Sequence, residues 1–228
     1  NWNFFSEIDY GYLTNTFVKE ISNIGHTVGQ LARMFASFTQ FIIYLSIPLF
    51  INLNLTLSIV LLIGIVIVPI LKFSGPLSYK FGKENTKTAN YMMSSLSEIL
   101  KSLKFIFVNS RTNLFIKDFI NKFDLHVNAT LKSQILATTV NAFFQPLGIL
   151  IIIIAFGFFM SKGIILSEVA AIFYSLISVV SATNTLLGIN ININNFIPSI
   201  DQLNDILNKS QQFQKKNGTI KFNKLNHK

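Results

Sequence analysis

From Met34 to Leu71 the chain carries no Asp, Glu, Lys, Arg or His at all. A helix crosses the hydrocarbon of a bilayer in about 20 residues, so a run of this length holds two crossings. The polar break Asn52-Leu53-Asn54 marks the turn between them and gives predicted spans over 34–51 and 55–75. The pattern then returns. Ser133–Ser161 is free of charge, Ser161-Lys162-Gly163 makes a turn, and Ile164–Ile200 carries only Glu168. Spans are predicted over 137–160 and 164–190. The fold class that follows is an all-α membrane protein of four long transmembrane helices, arranged as two hairpins.

Composition narrows the function classes. Only 13% of residues are charged, against roughly 25% in a soluble domain, and 23 Phe give more apolar surface than a disordered chain carries. The absence of cysteine removes disulfide scaffolds, thiolate metal sites and cysteine nucleophiles. His26, His126 and His227 stand far apart in sequence with no partnering Cys, so no metal site is expected. The chain opens on Asn1 instead of Met and is read as an internal piece of a longer protein.

The formal charge of +9 is topological. Ten Lys and Arg residues fall between Lys72 and Lys132 with four acids among them, whereas the two hairpin turns offer only Lys162 and Glu168. By the positive-inside rule the central segment is cytoplasmic, the hairpin turns face outward and both termini lie inside. Charge spread along membrane-flanking helices forms no dedicated basic face, so no nucleic-acid partner is expected.

Residues 76–136 read as a cytoplasmic helical hairpin. No proline follows Pro76, and Met92, Leu96, Ile99, Leu103 and Ile106 repeat at a 4-3 spacing, the seam of a helix packed on other helices. A continuous helix from Leu55 to about Val108 is predicted, roughly 80 Å long at 1.5 Å per residue. Asn109-Ser110-Arg111-Thr112-Asn113 supplies turn and cap residues, and Leu114–Lys132 resumes with Phe115, Phe119, Phe123 and Val127 at every fourth position. The tip falls near Asn109–Lys117. Ile189-Asn190-Ile191-Asn192-Ile193-Asn194 alternates as a strand would, but it continues a membrane run and is read as the cytoplasmic end of the last helix.

Membrane hairpins prolonged by long helices that end in a short tip resemble the transmembrane domain of ATP-binding-cassette (ABC) exporters of the six-helix, type I class. Phe4-Phe5-Ser6-Glu7-Ile8-Asp9-Tyr10-Gly11-Tyr12-Leu13-Thr14-Asn15 is similar to the family's stretch after its first coupling helix. Ser97-Glu98-Ile99-Leu100-Lys101-Ser102-Leu103-Lys104 is similar to its Glu-x-x-x-Gly-x-Lys stretch before the second, with Ser102 in place of the usual Gly and Phe107 where a basic residue is common. Gly218-Thr219-Ile220-Lys221-Phe222-Asn223-Lys224-Leu225 resembles the first strand of the family's nucleotide-binding domain. The resemblance implies that residues 1–209 are the third to sixth membrane helices of a six-helix domain. Residues 210–228 would then be a linker and the start of a truncated nucleotide-binding domain.

The same resemblance implies a function. Asn109, Arg111, Leu114, Phe115 and Lys117 would form a coupling helix that docks on the ATPase domain of a partner subunit, with Leu114 and Phe115 as an apolar plug and Arg111, Lys117 and Asp118 as polar contacts. ATP and Mg belong to the missing nucleotide-binding domain. This chain holds no G-x-x-x-x-G-K-[ST] loop, so no cofactor and no enzymatic activity are expected of it. The expected partners are the lipid bilayer, a second transporter half, identical or not, and the nucleotide-binding domains. Usage heavy in Asn, Ile, Lys and Phe suggests an AT-rich bacterial genome, hence the bacterial inner membrane.

Inside the spans, Gln40, Asn141, Gln145 and Asn184 are candidates for lining a cavity, because an unsatisfied amide is costly in hydrocarbon. Bonding between helices is their other role. No acid or base lies deep in a span, which argues against a proton-coupled carrier or a channel with a charged ring. An apolar, aromatic-rich cavity suits a lipid-like, amphipathic or peptide cargo. The rival reading is a non-transporting four-helix scaffold or sensor whose hairpin binds a partner.

Overall fold

The computed structural model describes residues 2–109, 112–159 and 166–213. Three expectations fall outside it: the turn at Ser161-Lys162-Gly163, the strand at Gly218–Leu225, and Arg111. The described residues form helices throughout: α1 (Trp2–Glu7), α2 (Tyr10–Asn15), one wide π-helical turn (Thr16–Glu20), α3 (Ile21–Ile51), α4 (Leu53–Lys101), α5 (Leu103–Val108), α6 (Thr112–Phe159) and α7 (Leu166–Gln212). Four of these runs are long and apolar enough to cross a membrane. The alternating Ile189–Asn194 segment is helical.

The turn between α3 and α4 is a single residue. Asn52 leaves the helix in an extended conformation (φ −149°, ψ 94°), and its Oδ1 accepts from the backbone N–H of Leu55 at 3.1 Å, which caps α4. Its own N–H still donates to the Pro48 carbonyl, and the Thr56 hydroxyl donates to that carbonyl at 2.8 Å. A reversal this tight keeps the backbone groups near the turn bonded, as a membrane-embedded chain requires.

Two helix pairs make the most extensive contacts, α3 with α7 and α4 with α6. Both are antiparallel: Tyr44 meets Tyr174 and Asn23 meets Ser199 in the first, and Glu84 meets Lys132 and Ser95 meets Asp118 in the second. Helix α4 runs parallel to α7, because Ser78 bonds Ile191 and Asn90 bonds Gln202.

The core changes character along these helices. In the apolar runs Leu55, Ile59 and Ile63 of α4, Phe144 and Ile152 of α6, and Ile172, Leu176 and Val180 of α7 form one buried cluster. Beyond it the buried residues of α4 are small or polar: Ser74, Gly75, Ser78, Gly82, Ala89 and Ser95. A Cβ on Gly82 would overlap the backbone carbonyl of Asn195, and one on Gly148 would overlap the Val180 side chain. These glycines let backbones approach where a side chain would hold them apart.

The structure corrects one expectation. The helix entering at Leu53 does not run unbroken to Val108. It ends at Lys101, Ser102 adopts φ −101° and ψ 12°, and α5 begins at Leu103. Hydrogen bonds continue across the break, from Ser102 N–H to Glu98 and from Ile106 N–H to Ser102, so one residue bends the axis without uncapping either helix. The seam expected along α4 and α5 is likewise only partly buried: Ile106 is enclosed, whereas Leu103 is exposed.

Candidate functional site

At the far end from the apolar core, α5 and the start of α6 form a tip. Asn109 closes α5, its side-chain amide donating to the Phe105 carbonyl at 2.9 Å. Leu114 is 64% exposed, Phe115 is half-buried, and Asn109 and Lys117 are exposed. They share the tip with exposed Phe105, Phe107, Val108 and Ile116. The tip lies well outside the apolar runs, and exposed apolar patches of this kind mark interaction sites. Asp118 does not join them. Its carboxylate accepts from Lys122 at 2.7 Å and from Ser95 at 3.1 Å, and the Lys122 bond holds its pKa below the usual carboxylate range. It ties α6 to α4.

Between tip and apolar core lies a buried polar seam that sequence reasoning missed. Glu20 is fully buried. Its carboxylate accepts from the side chains of Asn15 at 3.0 Å, Asn23 at 3.2 Å and the Ser199 hydroxyl, with Thr86 further off. A buried carboxylate costs several kcal/mol to desolvate, and these donors offset that cost. Asn15 also donates to Asn90 Oδ1 at 2.7 Å, Asn90 donates to Gln202 at 2.9 Å, and Gln202 donates to the Thr16 hydroxyl. One network therefore joins α2 and the π-turn, α3, α4 and α7. Wide turns of this kind recur at functional sites; this one carries Thr16 and Glu20, both buried, into the seam.

The Asp9–Asn15 motif proves to be a docking device for the same seam. Asp9 Oδ1 accepts from the Gly11 N–H at 2.6 Å, capping α2, and from the Ser94 hydroxyl at 2.8 Å. A Cβ on Gly11 would overlap the backbone of Ser94. Only glycine lets α2 lie this close to α4, which brings Asn15 within reach of Asn90.

Beside the seam, outside the apolar runs, Lys19 Nζ sits 3.4 Å from His126 Nε2. The Thr88 hydroxyl donates to the carbonyls of Glu84 and Asn85, so it accepts from His126 Nδ1 at 3.2 Å and leaves Nε2 to accept from Lys19. Burial lowers the pKa of both groups; the Lys19 charge lowers His126 further, and Glu20 partly restores Lys19.

The four amides expected to line a cavity do not come together. Gln40 is exposed on α3. Asn141 and Gln145 share a groove of about 550 Å³ on α6 with Ala142, Pro146, Ile149 and Leu150. Asn141 fits against Gly188, where a Cβ would come 3.0 Å from its Oδ1. Asn141 Oδ1 and Asn184 Oδ1 are buried without a hydrogen-bond partner among the described residues.

Compared with known proteins, residues 1–183 match the model of a family described as ABC transporter transmembrane region. No curated protein matches the chain.

Proposed function

The chain belongs to the ABC transporter transmembrane-region family, and from that premise we propose that this multi-pass membrane protein is the membrane-spanning part of an ATP-driven exporter working by alternating access. The observation that carries the reading is the division of the molecule into two tightly packed helix pairs, α3–α7 and α4–α6, which are not the two chain hairpins and which meet beyond the apolar core through a polar seam. An interface of Gly, Ser, Asn and Gln can part and accept water at modest cost. An apolar one of equal area would not, since apolar surface returned to water costs about 25 cal/mol per Å². Opening the seam admits cargo from the side of the tip, and closing it commits the cargo to the other side.

On this reading ATP and its magnesium are held by separate nucleotide-binding domains, and the tip at Asn109–Lys117 docks on one of them in a dimer. Long helices with internally bonded backbones transmit the motion as levers. The central hairpin is cytoplasmic, the location is a bacterial inner membrane, and the apolar spans suit a lipid-like, amphipathic or peptide cargo.

Two experiments test this. The chain has no cysteine, so Asn90→Cys with Gln202→Cys introduces a single oxidisable pair across the seam. Cross-linking is expected to stop transport and reduction to restore it; full transport by the cross-linked protein would refute the gate. Orientation is checked in spheroplasts with an impermeant maleimide. Asn54→Cys is expected to react and Lys83→Cys and Asn113→Cys to stay protected, whereas labelling at Lys83 reverses the topology.

A further inference from the structure

On the outer side of the α4–α6 pair, at the end of the apolar runs nearest the tip, lies a furrow of about 280 Å³ lined by Pro69, Ile70, Phe73, Ser74, Leu77, Leu136 and Val140. Its walls are apolar except for one group. Ser74 is 4% exposed, and its hydroxyl has no hydrogen-bond partner among the described residues. A helical serine ordinarily bonds a carbonyl one turn back, as Ser58 and Ser97 do here. A buried donor left open costs about 1–3 kcal/mol, so an occupant that accepts from it is favoured.

The charged residue that follows the furrow along α4 toward the tip is basic. Lys80 follows Leu77 by one turn, is exposed and makes no ion pair among the described residues. Of the acids nearby, Glu84 is held by Lys132 at 3.0 Å and Asp201 accepts from the Tyr79 hydroxyl at 3.0 Å. Along α4 the order is therefore a free ammonium, an open hydroxyl donor about 9 Å further up at 1.5 Å per residue, and then apolar walls running into the bilayer.

We propose that this furrow holds an anionic glycerophospholipid of the leaflet from which α4 emerges. Its phosphate pairs with Lys80, an ester carbonyl accepts from Ser74, and one acyl chain lies along Phe73, Ile70 and Pro69. The order of the three chemistries in the lipid is the order of the three features in the furrow, and its polar end lies toward the tip, where the lipid headgroups of that leaflet belong. The inference rests on the membrane-spanning family assignment and does not depend on the transport reading.

The test uses the full-length protein in nanodiscs of phosphatidylcholine, with and without phosphatidylglycerol, and native mass spectrometry of the lipid that stays bound. Retained phosphatidylglycerol is expected over phosphatidylcholine. Lys80→Gln, a surface change that leaves packing intact, is expected to cut that preference about fivefold, the effect of one lysine at an anionic surface. Ser74→Ala is expected to weaken retention of both lipids, and Leu136→Trp to expel both by filling the furrow. Equal retention of the two lipids, or a Lys80→Gln protein with undiminished preference, overturns the proposal. So does a photo-crosslinker at Leu77→Cys that captures another protein helix instead of lipid.

Discussion

Replacing Leu114 and Phe115 together with Ser is expected to abolish transport while membrane insertion and the helical fold survive. The tip carries these side chains beyond the apolar runs, Leu114 almost bare and Phe115 half-covered, so neither contributes much to the packing of α4 on α6. If they fill a pocket on a nucleotide-binding domain, truncating both removes about 2–4 kcal/mol of docking free energy, as for anchor residues at the centre of an interface. Each 1.4 kcal/mol is a factor of ten in occupancy, so the docked fraction falls by one to three orders of magnitude. ATPase activity and transport should be measured on one reconstituted preparation. Hydrolysis that persists while transport stops is the expected result. Undiminished transport would return the hairpin to the scaffold reading, in which the tip binds some other partner.

Gly82→Leu is expected to be the most disruptive single substitution in the seam. The added Cβ would overlap the backbone of Asn195, and a backbone, unlike the end of a flexible side chain, has nowhere to turn. Forcing volume into a close-packed contact costs roughly 1–3 kcal/mol, and this contact belongs at the upper end. Helices α4 and α7 must separate, which pulls Asn90 away from Gln202. Disulfide formation by the Asn90→Cys/Gln202→Cys pair should drop sharply when Gly82→Leu is added, and the melting temperature of the protein should fall. Gly64→Leu is the control: nothing lies within 4 Å of a Cβ there, and both readouts should stay unchanged. Equal cross-linking in the two proteins would mean that the close approach at Gly82 does not hold the seam together.

How much of this was legible in the sequence depended on which physical signal each feature leaves. The four apolar runs declared themselves because hydrocarbon excludes charge over long stretches, and the reversal at Asn52 because a polar residue between two such runs has few other uses. The tip was found from turn residues at Asn109–Asn113. The seam was not, and the reason lies in the residue types. Searches for helix packing look for large apolar side chains at 4-3 spacing, and that spacing led to Leu103, which is exposed. The buried face of α4 is instead written in Gly75, Ser78, Gly82 and Ala89, which such a search passes over.

Glu20 was hidden for a different reason. Next to Lys19, and followed by a run of mixed polar residues, it reads as half of a solvated pair. Only the fold brings it donors from Asn15, Asn23, Thr86 and Ser199, spread over most of the chain. The break at Ser102 left a trace, since it falls where the resembling family has Gly, but a serine alone does not announce a bend. Gln40 misled because an amide in an apolar run was assigned inward, whereas it lies on an exposed face of α3.

The buried carboxylate of Glu20 also sets an order of assembly. The donors Asn15, Asn23 and Thr86 are synthesised with or shortly after it, but Ser199 arrives only with α7. Until then the Glu20 carboxyl has an incomplete shell of donors, next to an α3 whose principal packing partner does not yet exist. Membrane helices insert separately and associate afterwards, so the nascent chain passes through an interval in which α3, α4 and α6 are in place before α7. A chain shortened before Ser199 therefore keeps an incomplete set of donors around Glu20, and the polar contact between α7 and the start of α3 is complete only when the whole of α7 has been made.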